Sequence, residues 1–271
     1  MTFEIVVADP AKNITLLVLN PVENRAEAAK LLLAEQSLHA EQVGFVIPPK
    51  TLQGLWRLEM MGGEFCGNGA RSFGLFVART IGLSGNAEVT IEVSGMKEPL
   101  PVRLQVEKGT AEVRIPKPLS QDALNFQGQS LPAYRFDGIT HLIAPGIPPE
   151  EQTFFMIKRV FETRFPFPQA LGVLFFDQAA RFMVPAVYVY HTDSLIFESS
   201  CGSGSAALGL WLEESRYEGE SRVAVPQPGG IIEVQTVKKG GAVLTVAIGG
   251  TVALEEPRLV RIDPWAEQGK G

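Results

Sequence analysis

Cys66 and Cys201 are the only cysteines in the chain, and each opens a glycine-rich turn of the same kind. The segment Cys66-Gly-Asn-Gly-Ala-Arg-Ser-Phe-Gly-Leu75 aligns without a gap with Cys201-Gly-Ser-Gly-Ser-Ala-Ala-Leu-Gly-Leu210. Each has a strand-like lead-in and then apolar residues at helical spacing (Ala70, Phe73, Val77; Ala206, Leu210). Each cysteine is therefore predicted at or just before a helix N-terminus. Unpaired N–H groups and the helix dipole favour negative charge there, which lowers a thiol's pKa. The glycines let backbone N–H groups approach an anion closely, as a nest does. One such turn makes a reactive thiol beside a carboxylate cradle. Two suit stereoinversion at carbon: one thiolate removes an α-proton while the opposing thiol delivers a proton to the other face. The developing carbanion needs preorganised N–H donors and exclusion of water. Nothing in this chemistry requires pyridoxal phosphate, and no clear phosphate cradle is visible, so no cofactor is expected.

Other readings of the same residues are weaker. A free cysteine alone is often a small buried hydrophobe, but the duplicated context argues against that for the pair. Gly202-Ser-Gly204 with Gly209 misses the GxGxxG spacing of a dinucleotide turn and lacks a βαβ context. A Cys–His nucleophile would need a histidine near the motif, and His39, His141 and His191 all lie outside it. No CxxC, HxxH or HExxH occurs, so a zinc site is not expected.

The elements that must hold these turns read mostly as short strands between Gly and Pro signals. Candidates are Ile5–Val7, Thr15–Leu19, Val43–Ile47, Leu55–Met60, Glu88–Val93, Val102–Val106 and Glu112–Ile115. The second half adds Gly172–Phe176, Val184–Tyr190, Ser194–Phe197, Ile231–Val237 and Leu244–Ile248. Ala26–Gln36 has helical spacing behind Asn24, a suitable cap. The offset between the cysteine motifs, 66 to 201, is 135 residues. Val106-Glu-Lys-Gly109 and Val237-Lys-Lys-Gly240, offset from 106 to 237 by 131, repeat the pattern downstream. The chain thus divides into residues 1–117, carrying Cys66, and 118–256, carrying Cys201, with the tail 257–271 returning to the first half.

A net charge of −6 with no basic block argues against a nucleic-acid partner. The apolar stretch Phe182–Tyr190 is too short for a membrane helix and contains Pro185. Met1–Asp9 lacks a basic region followed by an apolar one, so the expected address is the cytoplasm, where a disulfide is disfavoured. The expected partner is a small-molecule amino acid, with no membrane; a homodimer is compatible with this.

Glu64-Phe-Cys66-Gly-Asn-Gly-Ala-Arg71 and Ser200-Cys-Gly-Ser-Gly204 resemble the two catalytic motifs of the diaminopimelate epimerase superfamily. The resemblance extends over nearly the whole chain and implies an α+β fold. In it, two similar, pseudo-symmetric mixed β-structures each wrap a central helix, with the active site between them. It implies that Cys66 and Cys201 are the acid/base pair, and that Gly67-Asn68 and Gly202-Ser203 bind the substrate's α-carboxylate. Asn13 resembles the family's N-terminal substrate-contacting Asn, and Glu41-Gln42 its acidic-Gln pair. Two departures bear on substrate. Met60 stands where those epimerases carry an Asn for a distal carboxylate, and Tyr190–Glu198 contains no Arg. Losing a charge-assisted partner, usually worth roughly 1.5–3 kcal/mol, makes diaminopimelate a poor fit. Proline racemases share the paired-cysteine plan but usually have His at the position of Asn68.

Several segments also resemble the histidine racemases that supply D-histidine to staphylopine-type opine metallophores. They are Glu41-Gln-Val-Gly-Phe45, Glu64-Phe-Cys-Gly-Asn68, Val93-Ser-Gly95, Phe197-Glu-Ser-Ser-Cys-Gly-Ser-Gly204 and Gln227-Pro-Gly-Gly230. That resemblance implies a cofactor-independent racemase interconverting L- and D-histidine, with Glu41 and Glu198 near the substrate's ammonium or imidazole. The alternatives are diaminopimelate epimerase and a catalytically inactive amino-acid-binding protein of the same fold.

Overall fold

A computed structural model describes residues 1–166 and 168–263. The chain is α+β, mostly sheet, and divides into two compact units, Met1–Val113 with Gly250–Gly271, and Arg114–Gly249.

The first unit opens with antiparallel β1 (Thr2–Asp9) and β2 (Thr15–Val18). Helix α1 (Arg25–Ala34) crosses to β3 (Gln42–Ile47), which lies parallel to β2. As expected, Asn24 caps α1, its side chain accepting from Glu27 N–H. The helix buries Ala28, Ala29 and Leu32 against Ile5, Leu16, Val43 and Phe45. Strand β4 (Arg57–Met60) runs antiparallel to β3. After the first cysteine motif, α2 (Gly67–Thr80) leads to the meander β5 (Asn86–Val93), β6 (Leu100–Gln105) and β7 (Thr110–Ile115).

The second unit follows a similar order. Antiparallel β8 (Ser120–Phe126), β9 (Gln129–Arg135) and β10 (Ile139–Pro145) precede α3 (Glu151–Glu162). β11 (Ala170–Asp177) returns parallel to β10, and β12 (Phe182–Val189) and β13 (Ser194–Phe197) continue antiparallel. The second cysteine motif then starts α4 (Gly202–Leu212), followed by the meander β14 (Gly219–Gln227), β15 (Gly230–Lys239) and β16 (Ala242–Thr251). Phe154, Ile157 and Phe161 of α3 anchor this unit's core with Leu142, Val173 and Phe175. The last strands, β17 (Ala253–Leu254) and β18 (Arg258–Arg261), pair antiparallel with β1. The tail expected to return to the first half is described here only to residue 263; 264–271 lie outside the described residues.

In each unit the helix behind the cysteine is buried almost all round, as its small and apolar residues require. The helices are seated alike. A Cβ on Gly74 would stand 2.7 Å from Val102, and one on Gly209 would stand 2.7 Å from Val234. Among the described residues no helix is long and apolar enough to cross a membrane.

Candidate active site

Both cysteines are the N-cap residues of their helices, with nearly the same backbone: φ −119°, ψ 112° at Cys66 and φ −125°, ψ 115° at Cys201. The predicted placement at a helix start is what the structure shows. Each lead-in is held from behind by residues at or just past the end of a strand. Ser94 accepts from Met60 N–H and donates to Glu64 C=O. Gly95, at φ +74°, leaves room for Phe65 N, which a Cβ would meet at 2.4 Å. In the other unit Gln227 accepts from Cys201 N–H (2.8 Å) and donates to Ser205 Oγ (2.9 Å), while Gly229 N–H bonds Ser199 C=O.

At the first turn, Gly69 N–H donates to Cys66 Sγ (3.3 Å) and Ala70 N–H to Cys66 C=O. Helix geometry gives the N–H groups of Gly67 and Asn68 no carbonyl within the helix. Behind them lies a chain of hydrogen bonds. Arg71 Nε donates to Asn68 Oδ1 (3.1 Å), Asn68 Nδ2 to Asn13 Oδ1 (3.2 Å), and Asn13 Nδ2 to Glu41 Oε2 (2.7 Å). Asn13, Asn68 and Arg71 are buried, Arg71 completely. Burial lowers the guanidinium to about 10, with the Cys66 thiolate and Asp9 acting the other way, so it stays charged at neutral pH. Gln42 begins β3 beside this chain, and its Oε1 is buried without a partner among the described residues. Met60 is buried, its Sδ 3.1 Å from where a Cβ on Gly69 would sit, so it packs beneath the turn.

At the second turn, Cys201 is 7% exposed. Its thiol lies 3.7 Å from Ser203 Oγ and hydrogen-bonds the Glu198 carboxylate. The expectation that a helix start lowers the thiol's pKa fails here. Burial first, and then the Glu198 charge, push it well above the ordinary thiol range, against the opposing Ser203 hydroxyl and Gly204 N–H. Ser203 also meets Nε2 of His141 at 2.8 Å. His141 is completely buried and pushed down to about 3 by desolvation, so its ring is neutral, with Nδ1 unpartnered among the described residues. Its ring fits because its cross-strand neighbour is Gly172, where a Cβ would stand 2.2 Å from Nδ1.

The expected residues thus fall into two groups: Asn13, Glu41, Gln42, Cys66, Gly67 and Asn68 in the first unit, Glu198, Cys201, Gly202 and Ser203 in the second. Sequence reasoning missed Arg71, His141 and Gln227 as parts of these turns. The cue for His141 was a lone histidine inside an apolar strand across from glycine.

A family model described as the histidine racemase CntK N-terminal domain matches residues 2–256. A histidine racemase of Fusobacterium nucleatum subsp. nucleatum is 34% identical over 238 residues, covering 83% of this chain and 86% of that protein. One from Staphylococcus aureus (strain Mu50) is 28% identical over 264 residues, covering 89% and 94%. A probable proline racemase from Agrobacterium radiobacter K84 shares the fold with TM-score 0.70 at 11% identity, covering 98% of this chain and 95% of that one. A PhzF-family phenazine biosynthesis protein from Bacillus anthracis does so with TM-score 0.66 at 16% identity, covering 97% and 100%. The chain belongs to the histidine racemase family, and is an amino-acid racemase, an isomerase.

Proposed function

We propose that this chain interconverts L- and D-histidine without a cofactor, Cys66 and Cys201 exchanging protons with the two faces of Cα. The observation that carries this reading is the repeated N-cap cysteine, with matched backbone in both units. The plan is that of the diaminopimelate epimerases: similar mixed β-structures, each around a central helix, with one substrate served by both turns. Backbone N–H groups of Gly67, Asn68, Gly202 and Ser203 receive the α-carboxylate and, as charge develops, the carbanion's electron density. Asn13 and Gln42 contact the substrate, and Glu41 and Glu198 face its ammonium or imidazole. Cys201, held as a thiol by burial and Glu198, is the proton donor in the direction where Cys66 is the base. Two free thiols suit the reducing cytoplasm.

The substrate choice is supported by the family and by missing anchors. Met60 is buried and apolar where a distal carboxylate would need an amide, and Tyr190–Glu198 supplies no guanidinium. Protein dialysed against a chelator, with nothing added, is expected to turn L-histidine into D-histidine on chiral chromatography and to leave LL-diaminopimelate unchanged. Turnover of diaminopimelate alone would overturn the substrate; turnover of neither would overturn the activity.

A further inference from the structure

We propose that Arg71 is a positioning residue whose buried guanidinium, with the Glu41 carboxylate at the other end, fixes the direction of the Asn68–Asn13–Glu41 hydrogen-bond chain, and with it which end of the chain meets anion and which meets cation. An asparagine amide can turn over, exchanging donor for acceptor at little cost, so a pair of bonded asparagines has no intrinsic direction. Here both ends are decided. A guanidinium only donates, so the atom facing Arg71 Nε must be Asn68 Oδ1. Asn68 Nδ2 then faces Asn13, which must present Oδ1, leaving Asn13 Nδ2 for the Glu41 carboxylate, which only accepts.

Arg71 is itself fixed. It is completely buried in α2, and its Nη1 donates to Thr251 C=O at 3.1 Å. A charged, fully buried side chain in the first two turns of a helix breaks the ordinary rule for burial, unlike Arg79 at the exposed last turn. Its counterpart in the second motif is Ala206, so the device belongs to the Cys66 turn alone.

The consequence is a polarised half-site. Each amide nitrogen makes one hydrogen bond among the described residues and keeps a second N–H, so Asn13 and Asn68 offer donors, while acceptor oxygen is concentrated at Glu41. That polarity suits a zwitterion held one way round. The consequence for the substrate rests on the function proposed above; the direction of the chain does not.

Asparagine-selective 15N labelling of the full, ligand-free protein reads the two amides directly, with their resonances assigned by loss in Asn13→Asp and Asn68→Asp. Arg71→Met should speed side-chain amide exchange at both by about tenfold or more, whereas Arg71→Lys, which keeps a buried charged donor, stays near wild type. In turnover of L-histidine, Arg71→Met should raise KM about tenfold with a smaller change in kcat, and Arg71→Lys should recover most of that loss. Equal behaviour of the Met and Lys variants, or no change in either, would overturn the proposal. A wild-type protein that leaves histidine untouched would overturn the function and leave the amide result to decide the chain.

A second comparison does not depend on the Met variant folding. Asn68→Asp keeps the acceptor for Arg71 but has no donor for Asn13, whose Oδ1 then meets a carboxylate at residue 68 or at Glu41 whichever way its amide turns. Adding Glu41→Gln restores a donor there. The double variant should melt about 2–4 °C above Asn68→Asp alone. An equal or lower melting temperature would show that direction does not pass along the chain.

Discussion

The turns at Cys66 and Cys201 share their backbone and differ in almost every side chain around it. Both cysteines cap a buried helix, and both helices press a glycine against a valine of the following meander. Beyond that the surroundings diverge. Cys66 is half-exposed, and behind it lies a charged, donating guanidinium that polarises a line of amides. Cys201 is buried beside a carboxylate and a serine that is in turn tied to a neutral histidine. The same helix start occurs twice; the side chains around it set a buried guanidinium behind one thiol and a carboxylate against the other, which holds its proton. The two-thiol reaction proposed above would gain from that difference, because it needs one thiolate and one thiol at once.

The largest effect is expected from the thiols themselves. Cys66→Ala and Cys201→Ala should each lower racemisation by roughly 10²–10⁴-fold; a variant that kept wild-type turnover would remove that cysteine from the chemistry. Next come the matched helix seats. Gly74→Ala and Gly209→Ala each place a methyl 2.7 Å from a valine carbon. Overpacking of about 1–3 kcal/mol should outweigh the roughly 1 kcal/mol that alanine adds to helix propensity. Both should therefore lower the urea midpoint by similar amounts, and tolerance at one alone would show that the seats have diverged.

Smaller effects separate the electrostatics. Glu198→Gln removes a carboxylate that disfavours the Cys201 thiolate, so alkylation of Cys201 should begin at lower pH than in wild type. A shift to higher pH would mean that Glu198 stabilises the thiolate. His141 gives the mildest contrast. Its pKa is depressed from 6.5 to about 3, so the folded state refuses a proton that the unfolded chain accepts. Its contribution is present above pH 6.5 and is lost as pH falls towards 3. Protection against hydrogen exchange in the second unit, after correction for the intrinsic rate at each pH, should thus fall with acid more steeply in wild type than in His141→Phe, and equal slopes would contradict the buried neutral ring.

The two helix starts were legible in sequence because a glycine-rich turn followed by helical apolar spacing leaves the chain few alternatives, and so was α1 behind Asn24. Strands rich in β-branched residues were legible for the same reason. The stretch from Ser120 to Glu162 was not. β8 carries exposed Gln121, Asp122 and Asn125 and declares itself only through alternate burial of Leu124 and Phe126. Helix α3 packs three apolar residues, Phe154, Ile157 and Phe161, within a sequence that is otherwise largely charged or polar. At the site, Cys66, Cys201 and the residues beside them could be named, but not their protonation. That depends on what faces a thiol in space. Arg71 reads as an exposed helix residue until the strands around α2 are known, and Glu198 becomes a neighbour of the Cys201 thiol only when the turn between them closes.

The most direct test is the isotope pattern of a single turnover direction. L-histidine is incubated in heavy water with cofactor-free protein, and both enantiomers are recovered early and analysed for deuterium at Cα. With two thiols, each serving one face, newly formed D-histidine should carry deuterium while recovered L-histidine stays protiated. Deuterium entering L-histidine as fast as D-histidine forms would mean that one base serves both faces, and would contradict the pairing of Cys66 with Cys201.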